Sequence, residues 1–451
     1  MKKPKNEPGA LESFKKPIAA HPVLRRLCPG LMILILPLLG TGCWSRVEIE
    51  QRAFVLAVGI DWLPDKQMWQ TTLQVGKPGI LGAKPGGAGG GGGGAGAGGG
   101  GGGPGNAIYI DTNMGRTLAD ANCQIMTHMS RQLFCGHLRV IVVGEEAAKK
   151  GLGQTLDLYA RRYDIHETLD IFVARGTAKE ILQHNIPLET ASFQAMAGLV
   201  NVAPAHSRSI KITLHQVLSD LLSLGTKESF IPRLELKAAE ESSGATSQGG
   251  SSGGTGAGGG GGAAGGGAGG PGKELQLSGL AVLKKDKFAG WLESRESRGI
   301  LFANGKARNT MINAKDPKDE NYFVVIESER VRSRIVPKLE GNRPVVNLEI
   351  KIDGAIISQT SPENLTDPES IRSLERRMAT AIKNDVLAAL KKIQMDYNSD
   401  ILGFGRRFHQ KYPKLWRELR PRWDEVFPSL EVRVNVTAKI RRTGLRSRGV
   451  Y

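Results

Sequence analysis

The sequence predicts a multi-domain α+β protein in which helices pack on mixed sheets. Three patterns indicate this class. Buried apolar strands alternate with helical segments up to residue 203, strands of period two lie at 346–353 and 430–440, and a long amphipathic helix lies between those two strands. We therefore expect the C-terminal domain to be an antiparallel sheet covered by one long helix.

Changes in composition divide the 451 residues into segments. We predict a lipoprotein signal peptide at 1–42, an N-terminal α/β domain at 43–203, a middle segment at 204–241, a Gly/Ser-rich linker or surface loop at 242–272, and a C-terminal α+β domain at 273–451. Residues 79–105 are almost entirely Gly, Ala and Pro. Such a tract has little to bury and much backbone entropy to lose, so we expect a disordered insert there.

The N-terminal domain begins with two strands joined by a turn. Residues 54–60 form a continuous apolar run, and Pro64, Asp65 and Lys66 have the chemistry of a turn. Apolar periodicity predicts the elements that follow. Strands are expected at 107–113, 138–143, 169–174 and 230–237, and helices at 117–129, 147–162 with a break at Gly151 and Gly153, 177–183, 188–203 and 213–224.

The C-terminal half has the clearest pattern. Residues 275–292 predict a hairpin around Lys285, Asp286 and Lys287, and the period-two strands are interpreted as half-buried and antiparallel. Asp367 is a natural N-cap, and Pro368 suits the first helical position. The helix should reach about Tyr397, a length of about 45 Å, which is enough to cross a sheet. Its apolar stripe is Ile371, Leu374, Met378, Ile382, Val386, Leu390, Ile393 and Tyr397.

Cys43 closes the apolar stretch LMILILPLLGTGC. This stretch is too short for a membrane-spanning helix, which needs roughly 20 apolar residues, and basic residues precede it as in a secretory signal. We predict that residues 1–42 are removed and that Cys43 becomes an N-palmitoyl, S-diacylglyceryl cysteine. The alternatives are an ordinary cleaved signal or an uncleaved anchor with an incidental cysteine. Gly40 stands where a lipoprotein signal usually has Leu. Because predicted strands follow almost at once, the folded part should lie close to the membrane.

The chain is basic, with a formal net charge of +17. Residues 1–42 hold seven Lys/Arg and two Asp/Glu, so the mature chain would carry 54 basic and 42 acidic residues, a net charge of +12. A basic exported protein meets anionic surfaces such as lipid headgroups, wall polymers or acidic partners. Net charge alone does not select nucleic acid, and we expect no nucleic-acid partner.

Few residues have the pattern of a chemical site. His137, Glu145 and Glu146 flank a predicted strand, but a surface histidine and an acidic helix start explain them better than catalysis. Cys123 and Cys135 could form one disulfide, although we favour two buried small apolar residues. Their spacing matches no metal site, and no cofactor is predicted.

Residues 403–428 mix aromatic and basic side chains. Phe404, Phe408 and Tyr412 have helical spacing, and Trp416 continues the pattern beyond Pro413. We favour buried aromatic anchors beneath a solvated basic face. A partner or headgroup contact and a nucleic-acid surface are the weaker readings.

A set of motifs in chain order resembles the Ger(x)C family of spore germination lipoproteins. The motifs are TGCW, FVLAVGID, GHLRVIVVGEEAAKKGL, ARGTAKEIL, GLAVLKKDKFAGWL, RGILFANGK, LTDPESI, DILGFGRRFHQKYPKLW, WDEVFP and IRRTGL. They cover nearly the whole mature chain apart from the two glycine tracts. The family often has Asp after the Trp, where this chain has Ser45.

The resemblance implies a non-catalytic, lipid-anchored subunit of a nutrient germinant receptor. It would lie on the outer side of the spore inner membrane, beside multi-span A and B subunits, with Cys43 as the lipidated residue. The small-molecule germinant would be bound elsewhere in the complex. The competing class is a solute-binding lipoprotein of a transporter. An exported hydrolase is a weaker third option, because the sequence has no nucleophile elbow, paired carboxylates or metal cluster that would indicate one.

Overall fold

The computed structural model describes residues 47–76, 108–186, 189, 191–223, 227–238, 273–341 and 343–442. The chain divides into two compact units, residues 1–52 and 53–451. Within the first unit, the described part contains a single turn of 3-10 helix at Ile49–Gln51. The second unit contains two mixed sheets with helices packed on them, so the predicted α+β class is confirmed.

Within the described residues, the larger sheet has nine strands, and its centre is parallel. The order is β3-β2-β1-β5-β6-β7-β8-β9, with β4 paired to β1. β1, β5, β6 and β7 run parallel, and antiparallel neighbours extend the sheet on both sides. The strands are β1 (Arg52–Leu63), β2 (Met68–Gly76), β3 (Ile108–Gly115), β4 (Gln132–Phe134), β5 (Val140–Gly144), β6 (Asp170–Ala174), β7 (Phe230–Ala238), β8 (Lys273–Lys284) and β9 (Lys287–Leu292).

The central strands are apolar because the sheet is covered on both faces. All five residues of β5 and all five of β6 are buried. Val140 and Val142 belong to the smaller core, while Ile141 and Val143 belong to the larger core on the other face. The predicted strands from residue 52 to residue 237 are confirmed, with ends that shift by a few residues.

Helices fill both sides of this sheet. They are α1 (Leu118–Met126), α2 (Glu145–Lys150), α3 (Leu152–Ala160), α4 (Ala178–Gln183), α5 (Ser192–Val202) and α6 (Leu214–Leu221). Threonine side chains cap three of them: Thr117 begins α1, Thr177 begins α4, and Thr213 forms a capping box with Gln216 at α6. The predicted break between α2 and α3 is at Gly151, whose φ of 137° favours glycine.

The smaller sheet has the order β10-β11-β12-β13. Its strands are β10 (Thr310–Lys315), β11 (Phe323–Glu340), β12 (Arg343–Gln359) and β13 (Glu431–Arg442). β10, β11 and β12 are antiparallel, as predicted, but β13 pairs with β12 in parallel. The antiparallel prediction is therefore wrong for the last strand. The helices between β12 and β13 return the chain to the same end of the sheet, which a parallel pair requires.

One long helix, α8 (Pro368–Lys391), packs on this sheet, and α7 (Ser294–Ala303) lies against it. The predicted cap is confirmed, because the Asp367 carboxylate accepts the N–H of Ser370 at 2.8 Å. A π-helical turn at Lys392–Asp396 extends α8 almost to the predicted end at Tyr397. Six residues of the predicted stripe are buried, and Ile371 and Tyr397 are half-buried.

The sheet hydrogen bonds continue across the predicted domain boundary at residue 273. The hairpin β8–β9 was expected to belong to the C-terminal domain, but β8 pairs with β7 in the larger sheet. The tract at 242–272 thus joins two neighbouring strands. That tract and the insert at 79–105 lie outside the described residues, so their structure stays a prediction.

The aromatic segment 403–428 forms short helices: α9 (Phe404–Lys411), α10 (Pro413–Leu419) and α11 (Trp423–Val426). Phe404, Phe408 and Trp416 are buried and Tyr412 is half-buried, which agrees with the favoured reading of aromatic anchors. The rings of Trp416 and Trp423 meet edge to face at 5.0 Å.

Candidate functional site

Cys43, the predicted lipidation site, lies outside the described residues. Its modification therefore stays a prediction. Among the described helices, none is long and apolar enough to span a bilayer. The same part of the chain contains no group of three or more His, Cys, Asp and Glu residues suited to hold a metal ion.

The structure separates His137 from Glu145 and Glu146, the residues that the sequence suggested as a catalytic set. His137 precedes β5, where its ring contacts the rings of Phe54 and Phe134 at 5.1 and 5.8 Å. Glu145 and Glu146 follow β5 and bind Lys149 at 3.0 and 2.8 Å. A strand of this length holds its ends about 16 Å apart. The interpretation as a surface histidine and an acidic helix start is therefore the better one.

The two cysteines differ in environment. Cys123 is exposed on α1, whereas Cys135 is buried, and both are free thiols. The expectation of two buried residues is thus right for Cys135 and wrong for Cys123. Burial raises the pKa of the Cys135 thiol to about 11.

A polar cleft of about 690 Å³ lies where β5 and β6 begin. The segments before the two parallel strands contribute His137, Arg139, His166 and Thr168, while α5 forms one wall. Parallel strands that start at the same sheet edge bring these segments together. Gly198 of α5 leaves space in the cleft, because no atom lies within 4 Å of the position its Cβ would occupy.

Asp170 is the buried charged group of this polar cleft. Its Oδ1 lies 3.2 Å from the ammonium of Lys211, and its backbone N–H donates to the carbonyl of Arg139. Burial raises the pKa of the Asp170 carboxyl, and the nearby cations oppose that effect. On α5, the buried Oε1 of Gln194 accepts no hydrogen bond from the described residues. The cleft therefore offers both donors and acceptors to a small polar molecule.

The sequence singled out one residue of this cleft, His137, and missed the others. Arg139, Asp170 and Lys211 come from three separate segments, and none of them forms a motif. One signal was present: polar residues stand directly before two predicted strands, at 138–143 and 169–174. Residues at the same end of neighbouring parallel strands share an edge of the sheet.

A second charged cluster connects the β8–β9 hairpin with the C-terminal helices. The Lys284 ammonium lies 2.9 Å from Oε1 of the buried Glu228 and 2.6 Å from Oδ1 of Asp424. Burial raises the pKa of Glu228, while its bond to Lys284 opposes that effect. The buried charge of Glu228 thus has Lys284 as its opposite partner, and removal of either residue would leave the other charge unpaired.

Asp400 completes the cluster at the start of α9. Its carboxylate accepts the N–H groups of Phe404 and Gly405 at 2.8 and 2.7 Å, and its own N–H donates to Glu228. Complete burial raises the pKa of Asp400 to about 7, although the two backbone donors oppose the shift. Asp400 therefore caps the first turn of α9 with a buried carboxylate.

Two smaller cavities adjoin at α10 and share Trp416, Arg420 and Pro421. Their volumes are about 580 and 410 Å³. The indole N–H of Trp416 is buried and has no acceptor among the described residues. The basic side chains of residues 403–428 are thus exposed, and they surround buried aromatic rings.

These features define an α+β protein with two mixed sheets and a polar surface cleft. Residues 45–236 match the family model described as "Spore germination protein N-terminal domain", and residues 278–444 match "Spore germination B3/GerAC like, C-terminal". The two matches follow each other in chain order and cover most of the sequence. The chain belongs to this family of spore germination proteins.

Relatives match along nearly their whole length. Spore germination protein KC of Bacillus subtilis (strain 168) is 26% identical over 423 residues, which cover 92% of this chain and 95% of the relative. Spore germination protein YndF of the same strain is 24% identical over 443 residues, or 93% and 98% of the two chains. The crystal structure of the GerBC protein has a TM-score of 0.49 and 16% identity, and the match covers 87% of this chain and 99% of that one.

Proposed function

We propose that this protein is a lipid-anchored, non-catalytic subunit of a spore nutrient germinant receptor. It acts with multi-span A and B subunits on the outer side of the spore inner membrane, and the complex commits the spore to germinate. The observation that carries the proposal is the pair of consecutive family matches, together with full-length relatives whose names state a role in spore germination.

The anchor at Cys43 has a clear physical role in this proposal. One acyl chain holds a protein to a membrane only marginally, whereas two or more give stable attachment. Residues 44–51 separate Cys43 from β1 and reach about 30 Å at most when extended. Such a tether keeps the folded part near the bilayer, which raises its local concentration around membrane-bound partners.

Deletion of the gene tests the germination role. We expect spores without the protein to lose or slow germination with one nutrient or a subset of nutrients, and a restored copy should return the response. Spores that germinate normally with every nutrient of a broad panel would contradict the proposal.

A second candidate function is solute binding for a transporter, and the polar cleft before β5 and β6 favours it. Asp170, Gln194 and Lys211 place a carboxylate, an amide oxygen and an ammonium around one space of about 690 Å³. A cleft with a few convergent polar groups is the usual form of a small-molecule site.

Equilibrium titration of the purified chain with candidate nutrients separates the two functions. A tight and specific ligand whose affinity falls at least about tenfold in Asp170→Asn would favour solute binding. Lys287→Gln, an exposed change on β9, is the control and should leave affinity unchanged. Absence of any specific ligand would count against the second candidate and leave the receptor subunit as the better proposal.

A further inference from the structure

The outer face of the smaller sheet carries a basic patch. Arg330, Arg332 and Arg334 alternate along β11, so their side chains share one face of the sheet, and all three are exposed. On β12, Lys351 lies directly opposite Arg332 in the sheet register and is exposed as well. We call these four residues the basic patch. The helix α8 covers the opposite face of the sheet.

The basic patch has no acidic partners in the described part of the chain. Among the carboxylates that the structure describes, none has an oxygen within 4 Å of the four cationic groups. Arg441 and Arg433, which are also exposed on this sheet, differ: Arg441 binds Asp353 at 2.9 Å, and Arg433 binds Glu340. In the sheet register Asp353 lies opposite Arg330 and Glu349 lies opposite Arg334, but among the described residues neither carboxylate forms an ion pair with the patch. The four cations are therefore unpaired beside neighbours that are paired, on a face that also carries these two carboxylates.

Folding explains only part of this arrangement. Like charges directly opposite each other on neighbouring strands destabilise a sheet, and Arg332 and Lys351 form such a pair. β10 pairs with β11 only as far as Ser328, so the arginines of β11 lie on a local edge, where charged residues protect a strand from pairing with other chains. This protection does not account for Lys351, because β12 lies between β11 and β13 inside the sheet.

The composition of this face favours a membrane over a protein partner. Protein interfaces depend on a buried apolar centre with aromatic or arginine anchors in pockets. Between residues 330 and 338, the outward-facing residues of β11 are Arg330, Arg332, Arg334, Val336 and Lys338, and Val336 is half-buried. No aromatic side chain belongs to this row. The facing row of β12 adds Lys351 together with Glu349 and Asp353, so cations outnumber carboxylates on the two strands. A basic face without an apolar centre matches a surface of anionic headgroups, where each basic residue adds attraction.

We infer that the basic patch binds the anionic phospholipid headgroups of a bilayer and so orients the smaller sheet towards the membrane. The inference does not depend on the germination role or on the modification of Cys43. It concerns the direction in which the folded protein faces the membrane, which the presence of an anchor alone does not determine.

Vesicle sedimentation of the full chain tests the inference. Binding is compared between vesicles of pure phosphatidylcholine and vesicles in which about a third of the lipid is phosphatidylglycerol. Every variant keeps residues 1–46, so their contribution to membrane binding is the same throughout. At about 0.1 M salt, we expect the wild type to bind the anionic vesicles at least about tenfold more tightly than the neutral ones. This preference should be lost near about 0.5 M salt.

The key variant is Arg330→Gln/Arg332→Gln/Arg334→Gln, which should lose most of the preference for anionic vesicles. Its matched control is Arg372→Gln/Arg376→Gln/Lys383→Gln, which removes three exposed charges from α8 on the other side of the sheet. The control should keep the preference. An equal loss in both variants would mean that net charge alone is responsible, and it would overturn the inference. A wild type that binds neutral and anionic vesicles equally well would overturn the inference too, even if the chain binds an acidic protein.

A measurement of the melting temperature tests whether the triple variant is folded. Because Arg332 and Lys351 repel each other, the single change Arg332→Gln should keep or raise the melting temperature while reducing the anionic preference measurably. A folded Arg332→Gln or triple variant that retains the full preference would overturn the inference.

Discussion

The backbone N–H of Asp400 donates a hydrogen bond to the carboxylate of Glu228, and both carboxyl groups are buried. The contact joins the start of α9 to the segment before β7, although 172 positions separate the two residues in the chain. Lys284 balances Glu228, and two backbone N–H groups face the Asp400 carboxylate. The C-terminal helices are thus attached to the larger sheet through a charged cluster as well as through apolar packing.

Two buried carboxyl groups, Asp400 of this cluster and Asp61 of β1, predict how stability depends on pH. Burial raises the pKa of Asp400 to about 7 and that of Asp61 to about 6, both above the value of 3.8 for an unperturbed Asp. The folded protein therefore binds more protons than the unfolded chain between about pH 4 and pH 7, and these groups lower the free energy of unfolding as the pH rises through that window. We expect a higher melting temperature near about pH 5 than near about pH 7.5.

The variant Asp400→Asn isolates this effect. It removes the titrating carboxyl, so the difference in melting temperature between the two pH values should shrink. Asp65→Asn removes an exposed carboxyl from the β1–β2 turn and should leave the difference unchanged. An undiminished pH dependence in Asp400→Asn would show that other groups cause it.

Replacement of glycine by alanine should change the free energy of unfolding in opposite directions on two helices. Gly299 of α7 lies so close to α8 that a Cβ would stand 2.2 Å from the carbonyl oxygen of Asp385 and 3.0 Å from the Cβ of Ala389. Gly299→Ala should therefore cost about 1–3 kcal/mol of unfolding free energy through overpacking. Gly198→Ala on α5 meets nothing within 4 Å and should add roughly 0.5–1 kcal/mol. Urea unfolding of both variants measures the two changes, and a tolerated Gly299→Ala would refute the close packing of α7 on α8.

Cys123 and Cys135, the free cysteines of the described part of the chain, should differ strongly in reactivity. Cys123 is exposed, whereas burial raises the pKa of Cys135 to about 11, so little of its thiolate is available at neutral pH. With a thiol-reactive dye on the folded chain, Cys123→Ser should remove a fast phase that Cys135→Ser leaves intact. A fast phase that depends on Cys135 would contradict the buried position.

The sequence predicted element types well and strand direction less well. Apolar runs such as that of β5 and the period-two pattern of β12 identify strands because burial on one or two faces fixes which residues are apolar. The same pattern fits a parallel or an antiparallel neighbour. The parallel pairing of β13 with β12 follows from the helices between them. The alternation of apolar and polar residues within a strand gives no information about that connection.

The polar cleft and the basic patch show why sites were harder to predict. Asp170 and Lys211 meet through the folding of separate segments, and their neighbours give no sign of the contact. Arg330, Arg332 and Arg334 are visible in the sequence as an alternating basic row. Their exposure and the placement of Lys351 beside Arg332 required the sheet register.

Lipidation of Cys43 is the central claim of the proposed function, and metabolic labelling with palmitate tests it most directly. Cys43→Ala should abolish the label, release the chain from the membrane fraction and reduce nutrient germination. Cys28→Ala is the matched control, since residue 28 lies in the predicted signal segment, and it should keep label, membrane retention and germination. Normal membrane retention together with normal nutrient germination in Cys43→Ala would contradict the proposal.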